Sequence, residues 1–167
     1  MKKYFSIQTL VLAAGTVFAW YTVYQDYARF YNIEGTIFKI QDCVLPNPVT
    51  TPCFWGAWAF LIGLIWSWKL MKRFPDSTIA RKQKNLVLFL VAGTIFAWTN
   101  AIRGIISFYE NQGKPTIGCS GLLVTSPFTT ACFYGSVLFL ASLLAAVVTL
   151  AVLIRRKQKE SQNQEKK

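Results

Sequence analysis

Charged positions along this chain gather in short clusters, and four stretches between them carry none. Residues 4–25 are uncharged over 22 positions, 43–68 over 26, 85–102 over 18 and 115–154 over 40. A helix of about 20 apolar residues crosses the ~30 Å hydrocarbon core of a bilayer. A buried helix of a water-soluble domain would instead show a polar face with charged i, i+4 pairs. None of the four stretches has one. The pattern therefore predicts an all-α integral membrane protein with transmembrane helices near 4–25, 54–72, 85–108 and 133–154. Helix 2 is placed to begin at Phe54 because Pro46, Pro48 and Pro52 crowd the residues before it.

The wording of the first half recurs in the second. Ala14-Gly15-Thr16-Val17-Phe18-Ala19-Trp20 returns as Ala92-Gly93-Thr94-Ile95-Phe96-Ala97-Trp98, with a single Val-for-Ile change. Phe30-Tyr31 and Gly35 return at the same offset as Phe108-Tyr109 and Gly113. Thr50-Thr51-Pro52-Cys53-Phe54-Trp55-Gly56 returns as Thr129-Thr130-Ala131-Cys132-Phe133-Tyr134-Gly135. Blocks kept in order with small gaps indicate a duplication rather than chance hydrophobicity. Each copy contains two crossings, so the copies share one orientation, as in transporters built from parallel repeats. The expected architecture is a four-transmembrane-helix bundle of two tandem, parallel-oriented helix hairpins: 1–78, 79–154, then a basic tail at 155–167. The tail lacks apolar residues and reads as a frayed cytoplasmic end.

Charge fixes the expected orientation. The formal net charge is +11. Fourteen Lys and Arg fall at 2–3, 69–84 and 155–167, against only Asp76, Glu160 and Glu165. The opposite side balances Arg29, Lys39, Arg103 and Lys114 against Asp26, Glu34, Asp42 and Glu110. Positive flanking loops stay cytoplasmic. Both termini and the 74–84 loop are thus expected inside a bacterial cytoplasmic membrane, and the two long loops outside. This distribution suits anionic lipid headgroups and argues against nucleic acid. Lys2, Lys3 and the apolar run after them mimic a signal peptide, with Val17-Phe18-Ala19 as a cleavage site. The same words stand in mid-chain, so the first segment is expected to be a retained helix.

All four cysteines lie on the expected outer side, Cys43 and Cys53 in one loop, Cys119 and Cys132 in the other. An oxidising compartment favours disulfides. The duplication suggests Cys43–Cys53 and Cys119–Cys132, one staple per loop, each worth about 3 kcal/mol by loop-closure entropy. The competing expectation is redox chemistry, because Cys53 and Cys132 each precede a helix start, where the dipole lowers a thiol pKa. Four helices, inward termini and a cysteine pair in each outer loop resemble the layout of bacterial quinone-linked disulfide-formation membrane proteins. Those proteins and the vitamin K epoxide reductase-like ones carry a C-x-x-C pair, which this chain lacks. Under the redox reading, Cys53, Cys132 and Arg103 are the catalytic candidates and a quinone the cofactor.

Other residues have plainer expected roles. Apart from Lys69 and Lys72 at the cytoplasmic end of helix 2, Arg103 is the one charge in a predicted span, and near its outer end its head can snorkel to the headgroups. Thr16, Thr94 and Asn100 are expected to bond their own helix or a neighbour. Ala13, Ala14, Gly15, Gly56, Gly63, Ala92 and Gly93 let helices approach closely, within one bundle more readily than in a dimer or with another protein. Trp20, Tyr21, Tyr24, Trp66 and Trp68 suit an interfacial aromatic belt. The chain has no His, which excludes a Ser-His-Asp triad and His metal sites, and its cysteine spacing fits no zinc module. Two function classes remain: a non-enzymatic scaffold, binding or small-solute pathway protein, and a quinone-linked thiol oxidoreductase.

Overall fold

The computed structural model describes residues 2–38, 47–73, 78–111, 116–117 and 123–165. These contain four long helices: α1 (Lys2–Glu34), α2 (Pro52–Lys72), α3 (Ile79–Glu110) and α4 (Ala131–Glu165). A 3₁₀ turn stands shortly before each of α2 and α4, at Pro48–Thr50 and Pro127–Thr129. Strands β1 (Thr116–Ile117) and β2 (Leu123–Val124) form a two-residue antiparallel ladder between α3 and α4. All four helices are long and apolar enough to cross a membrane.

Each helix outruns its expected span, for reasons written in the sequence. The first does not stop at Asp26. It continues to Glu34 and ends at Gly35, whose φ of 68° and N–H bond to the Tyr31 carbonyl (2.9 Å) make a left-handed cap. Helix α2 begins two residues earlier than expected. Pro52 takes the first helical position, where a missing N–H costs nothing, and the Thr51 hydroxyl accepts from the Phe54 N–H. Helix α3 reaches back into the basic loop because Ile79, Gln83, Leu86 and Leu90 share one buried face while Arg81 and Lys84 point outward. Helix α4 runs on through Arg155 and Arg156 to Glu165, so the tail expected to fray is helical. At about 1.5 Å per residue, the 35 residues of α4 span roughly 50 Å, well beyond a bilayer core.

α1 packs along α2 and α4, and α3 along α4 and α2, with a narrower α2–α4 contact across the middle. The core is one apolar cluster that includes Phe5, Leu12, Phe60, Leu86, Leu90 and Phe139. Small residues admit its rings. A Cβ built on Gly15 would overlap the Phe60 ring, and one on Gly93 would lie 2.8 Å from Phe139 Cε1. These two glycine–phenylalanine pairs are repeat equivalents, so the same close approach is made twice. Both threonines of the duplicated word turn to their own helices: Thr16 donates to the Leu12 carbonyl and Thr94 to the Leu90 carbonyl, each at 2.7 Å.

Toward the basic end the core turns polar. Gln83 Nε2 donates to Gln8 Oε1 (2.8 Å) and to the Ala146 carbonyl (3.0 Å). Gln8 Nε2 donates to Ser67 Oγ (3.0 Å), which also pairs with Thr9 Oγ1 (2.8 Å). Gln8, Ser67 and Gln83 are fully buried. This layer ties all four helices together, since α1 supplies Gln8 and Thr9, α2 Ser67, α3 Gln83 and α4 the Ala146 carbonyl. Because the polar layer lies near the start of α1 and α3 and the end of α2, neighbouring helices run up and down alternately.

Candidate functional site: a cleft lined by matched residues

At the opposite end of the bundle, where α2 and α4 begin, the helices part around a small cleft of about 50 Å³. Its lining falls almost wholly into repeat pairs. Phe18 and Phe96, Ala19 and Ala97, and Thr22 and Asn100 come from α1 and α3; Pro52 and Ala131, Cys53 and Cys132, Gly56 and Gly135, and Phe60 and Phe139 come from α2 and α4. Ser136 completes it. The floor is the Phe60–Phe139 ring pair, with centroids 3.9 Å apart and planes tilted by 31°. Glycine at 56 and 135 leaves space above that floor: a Cβ at Gly56 would just reach Phe139 at 4.0 Å, and one at Gly135 would meet nothing within 4 Å.

The two cysteines face each other at this end. Cys53 and Cys132 are both thiols, half-buried, with Sγ atoms 3.7 Å apart. The local sequence positions them identically. Thr51 Oγ1 donates to the Pro48 carbonyl (2.7 Å) and accepts from the Phe54 N–H (3.4 Å); Thr130 Oγ1 donates to the Pro127 carbonyl (3.0 Å) and accepts from the Phe133 N–H (3.2 Å). A Pro-led turn, a capping threonine and a cysteine in the first helical turn therefore occur twice.

Polar groups of the cleft are mostly committed to their own helices. Thr22 donates to the Phe18 carbonyl (3.0 Å), Asn100 Nδ2 to the Phe96 carbonyl (2.8 Å) and Ser136 to the Phe133 carbonyl (2.8 Å). The cleft thus presents mainly carbon and sulfur. One helical turn beyond Thr22, on the same side of α1, lies Asp26. It is buried, with Oδ1 3.6 Å from Arg29 Nη1 and Oδ2 without a hydrogen-bond partner among the described residues.

Of the candidates expected from sequence, the structure brings Cys53 and Cys132 together. Arg103 is exposed and outside the cleft lining. The expected Cys43–Cys53 and Cys119–Cys132 bonds are not made here, since Cys53 and Cys132 are both thiols and turn toward each other; Cys43 and Cys119 lie outside the described residues. Sequence reading missed the Phe60–Phe139 floor, although Phe60 and Phe139 continue the Cys53–Cys132 offset of 79 seven residues further on. It also missed the Gln8–Ser67–Gln83 layer, which has no counterpart in the repeat. Among the described residues, no group of three or more His, Cys, Asp or Glu could hold a metal ion. No family model matches the chain, and no match was found to a curated protein or a solved structure.

Proposed function

We propose that this chain is a four-span protein of the bacterial cytoplasmic membrane that binds a small apolar ring compound in the cleft between two tandem, parallel-oriented hairpins. Both termini lie in the cytoplasm and the cleft in the outward half. The observation that carries the reading is the lining: seven repeat pairs, dominated by Phe18, Phe96, Phe60 and Phe139. Ligand sites are typically apolar with a few polar groups, and the space between bundle helices is a usual place for them. Membrane insertion is supported by the exposed faces of the helix mid-sections, where Leu10, Val17, Leu88, Ile95, Leu144 and Val148 point outward. Orientation is supported by the +11 charge of one end against the balanced other end.

The test compares the parent with Gly135→Leu in lipid nanodiscs, titrated with 2,3-dimethyl-1,4-naphthoquinone and followed by quenching of tryptophan emission. Trp20, Trp58 and Trp98 lie near the cleft, on the helices that line it. The parent should show saturable quenching, and Gly135→Leu, which fills open space, should weaken it at least tenfold. Linear, unsaturable quenching equal in both proteins is partition into lipid and would reject the site.

A further inference from the structure

We infer that Cys53 and Cys132 form a reversible disulfide across the pseudo-twofold axis, a redox latch joining the two hairpins beside the cleft. The inference rests on the cleft reading only for the path by which an oxidant reaches the thiols. Its basis is geometric. The sulfurs stand 3.7 Å apart, while a disulfide needs about 2.05 Å, so small side-chain movements close the gap. The pair spans 79 residues, and its members belong to different hairpins. No bond within either outer loop could hold α2 to α4. A Cys53–Cys132 bond would do so, joining the two helices whose direct contact is the slightest of the packed pairs.

Two helix N-termini converge on the pair, each capped by its threonine. Thiol–disulfide exchange proceeds through the thiolate of either cysteine. The oxidant is a small disulfide, RSSR, entering from the cleft side. The thiolate attacks one sulfur of RSSR, forming a mixed disulfide and expelling RS⁻. The neighbouring cysteine then loses its proton and attacks the cysteine sulfur of that mixed disulfide, expelling the second RS⁻. The protons of the two cysteines end on the two leaving groups: two thiols and RSSR become one Cys53–Cys132 bond and two RSH.

The experiment uses the full chain in nanodiscs, with a protease site inserted at 74–77 between the hairpins. Protein equilibrated in glutathione buffers of varied ratio is alkylated, cleaved and run without reductant. A Cys43→Ser/Cys119→Ser variant is treated in parallel. In both proteins the halves should migrate together in oxidising buffer, separate in reducing buffer, and yield a Cys53–Cys132 peptide by mass spectrometry. Adding Cys132→Ser to that variant should leave the halves apart at every ratio. Within-loop Cys43–Cys53 and Cys119–Cys132 peptides, halves that never join, or halves that reduction cannot separate would each overturn the latch. Quinone quenching on the same samples is independent: joined halves without saturable quenching would remove the ligand reading and leave the latch standing.

Discussion

Phe60 and Phe139 stack at 3.9 Å between α2 and α4, each ring resting on a glycine of a neighbouring helix. Gly15 lies under Phe60 and Gly93 under Phe139. Between helices in lipid, where apolar surface gains little by leaving the surrounding tails, such fit between small residues and rings is the main source of adhesion. The same pair of rings closes the bottom of the cleft, so one contact serves both cohesion and the site.

Adding side chains at these glycines should therefore be costly. Both rings are almost fully buried and stacked, with little freedom to yield. Gly15→Leu and Gly93→Leu should each destabilise by about 1–3 kcal/mol, the usual range for overpacking. Gly104→Ala is the control, because a Cβ there meets nothing within 4 Å and exchanging glycine for alanine in a helix gains about 0.5–1 kcal/mol. Thermal unfolding in detergent measures all three. Equal stability for the two leucine variants and the control would remove the close-approach argument.

The Gln8–Ser67–Gln83 layer should behave as a network. Gln8→Leu takes the Nε2 partner from Ser67 and one acceptor from Gln83; Gln83→Leu strips the same bond from the other side. Interhelical hydrogen bonds in membranes average roughly 0.6 kcal/mol, with a maximum near 1.7. Each single change should cost about 0.5–2 kcal/mol because a buried partner is left unsatisfied. The double variant should cost clearly less than the two added, since the second change removes an already broken bond. Strict additivity in a double-mutant cycle would show that the two amides are not coupled.

The helices were legible in the sequence because lack of charge over some 20 residues is a coarse, redundant signal. Their ends were not, because the signals there are single residues. Gly35 stops α1 two turns past Asp26, and Pro52 starts α2 rather than preventing it. Counting charges also hid the first turns of α3, where Ile79 and Gln83 are core residues and Gln83 is set between Lys82 and Lys84. For the site, duplication pointed to Cys53 and Cys132 as equivalents but gave no distance between them. Equivalence under a twofold places two residues symmetrically about an axis; only packing says whether they touch. Gln8 stood in plain view as a polar residue in an apolar run, yet its partner Gln83 lay in a stretch read as a loop.

Topology is testable at Thr78, exposed at the start of α3. A Thr78→Cys protein should react with a membrane-impermeant maleimide only after the membrane is opened, with the adduct located by peptide mass. Labelling of position 78 in intact cells would reverse the orientation inferred from charge.

Asp26 offers a sharper measurement, because its two neighbouring substitutions should act in opposite senses. Its carboxylate is buried, and one oxygen faces Arg29 at 3.6 Å while the other has no partner among the described residues. A buried charge in that position is tolerated because of the guanidinium, not because its solvation is replaced. Removing the charge removes that cost, so Asp26→Asn, which keeps the shape, should leave stability within about 1 kcal/mol of the parent or raise it. Removing the guanidinium leaves the cost uncompensated. Arg29→Gln should therefore destabilise by about 1–3 kcal/mol, below the value for a fully enclosed pair because the Arg29 side chain is 25% exposed. Protonation neutralises an isolated carboxyl, so the Arg29→Gln deficit should shrink on acidification, whereas the Asp26→Asn protein has no such term to lose. Combining the two changes should restore most of the stability lost in Arg29→Gln alone. Thermal melts of the four proteins at neutral and mildly acidic pH give the whole cycle. A double variant as weak as Arg29→Gln would mean that Arg29 stabilises the bundle through contacts other than Asp26.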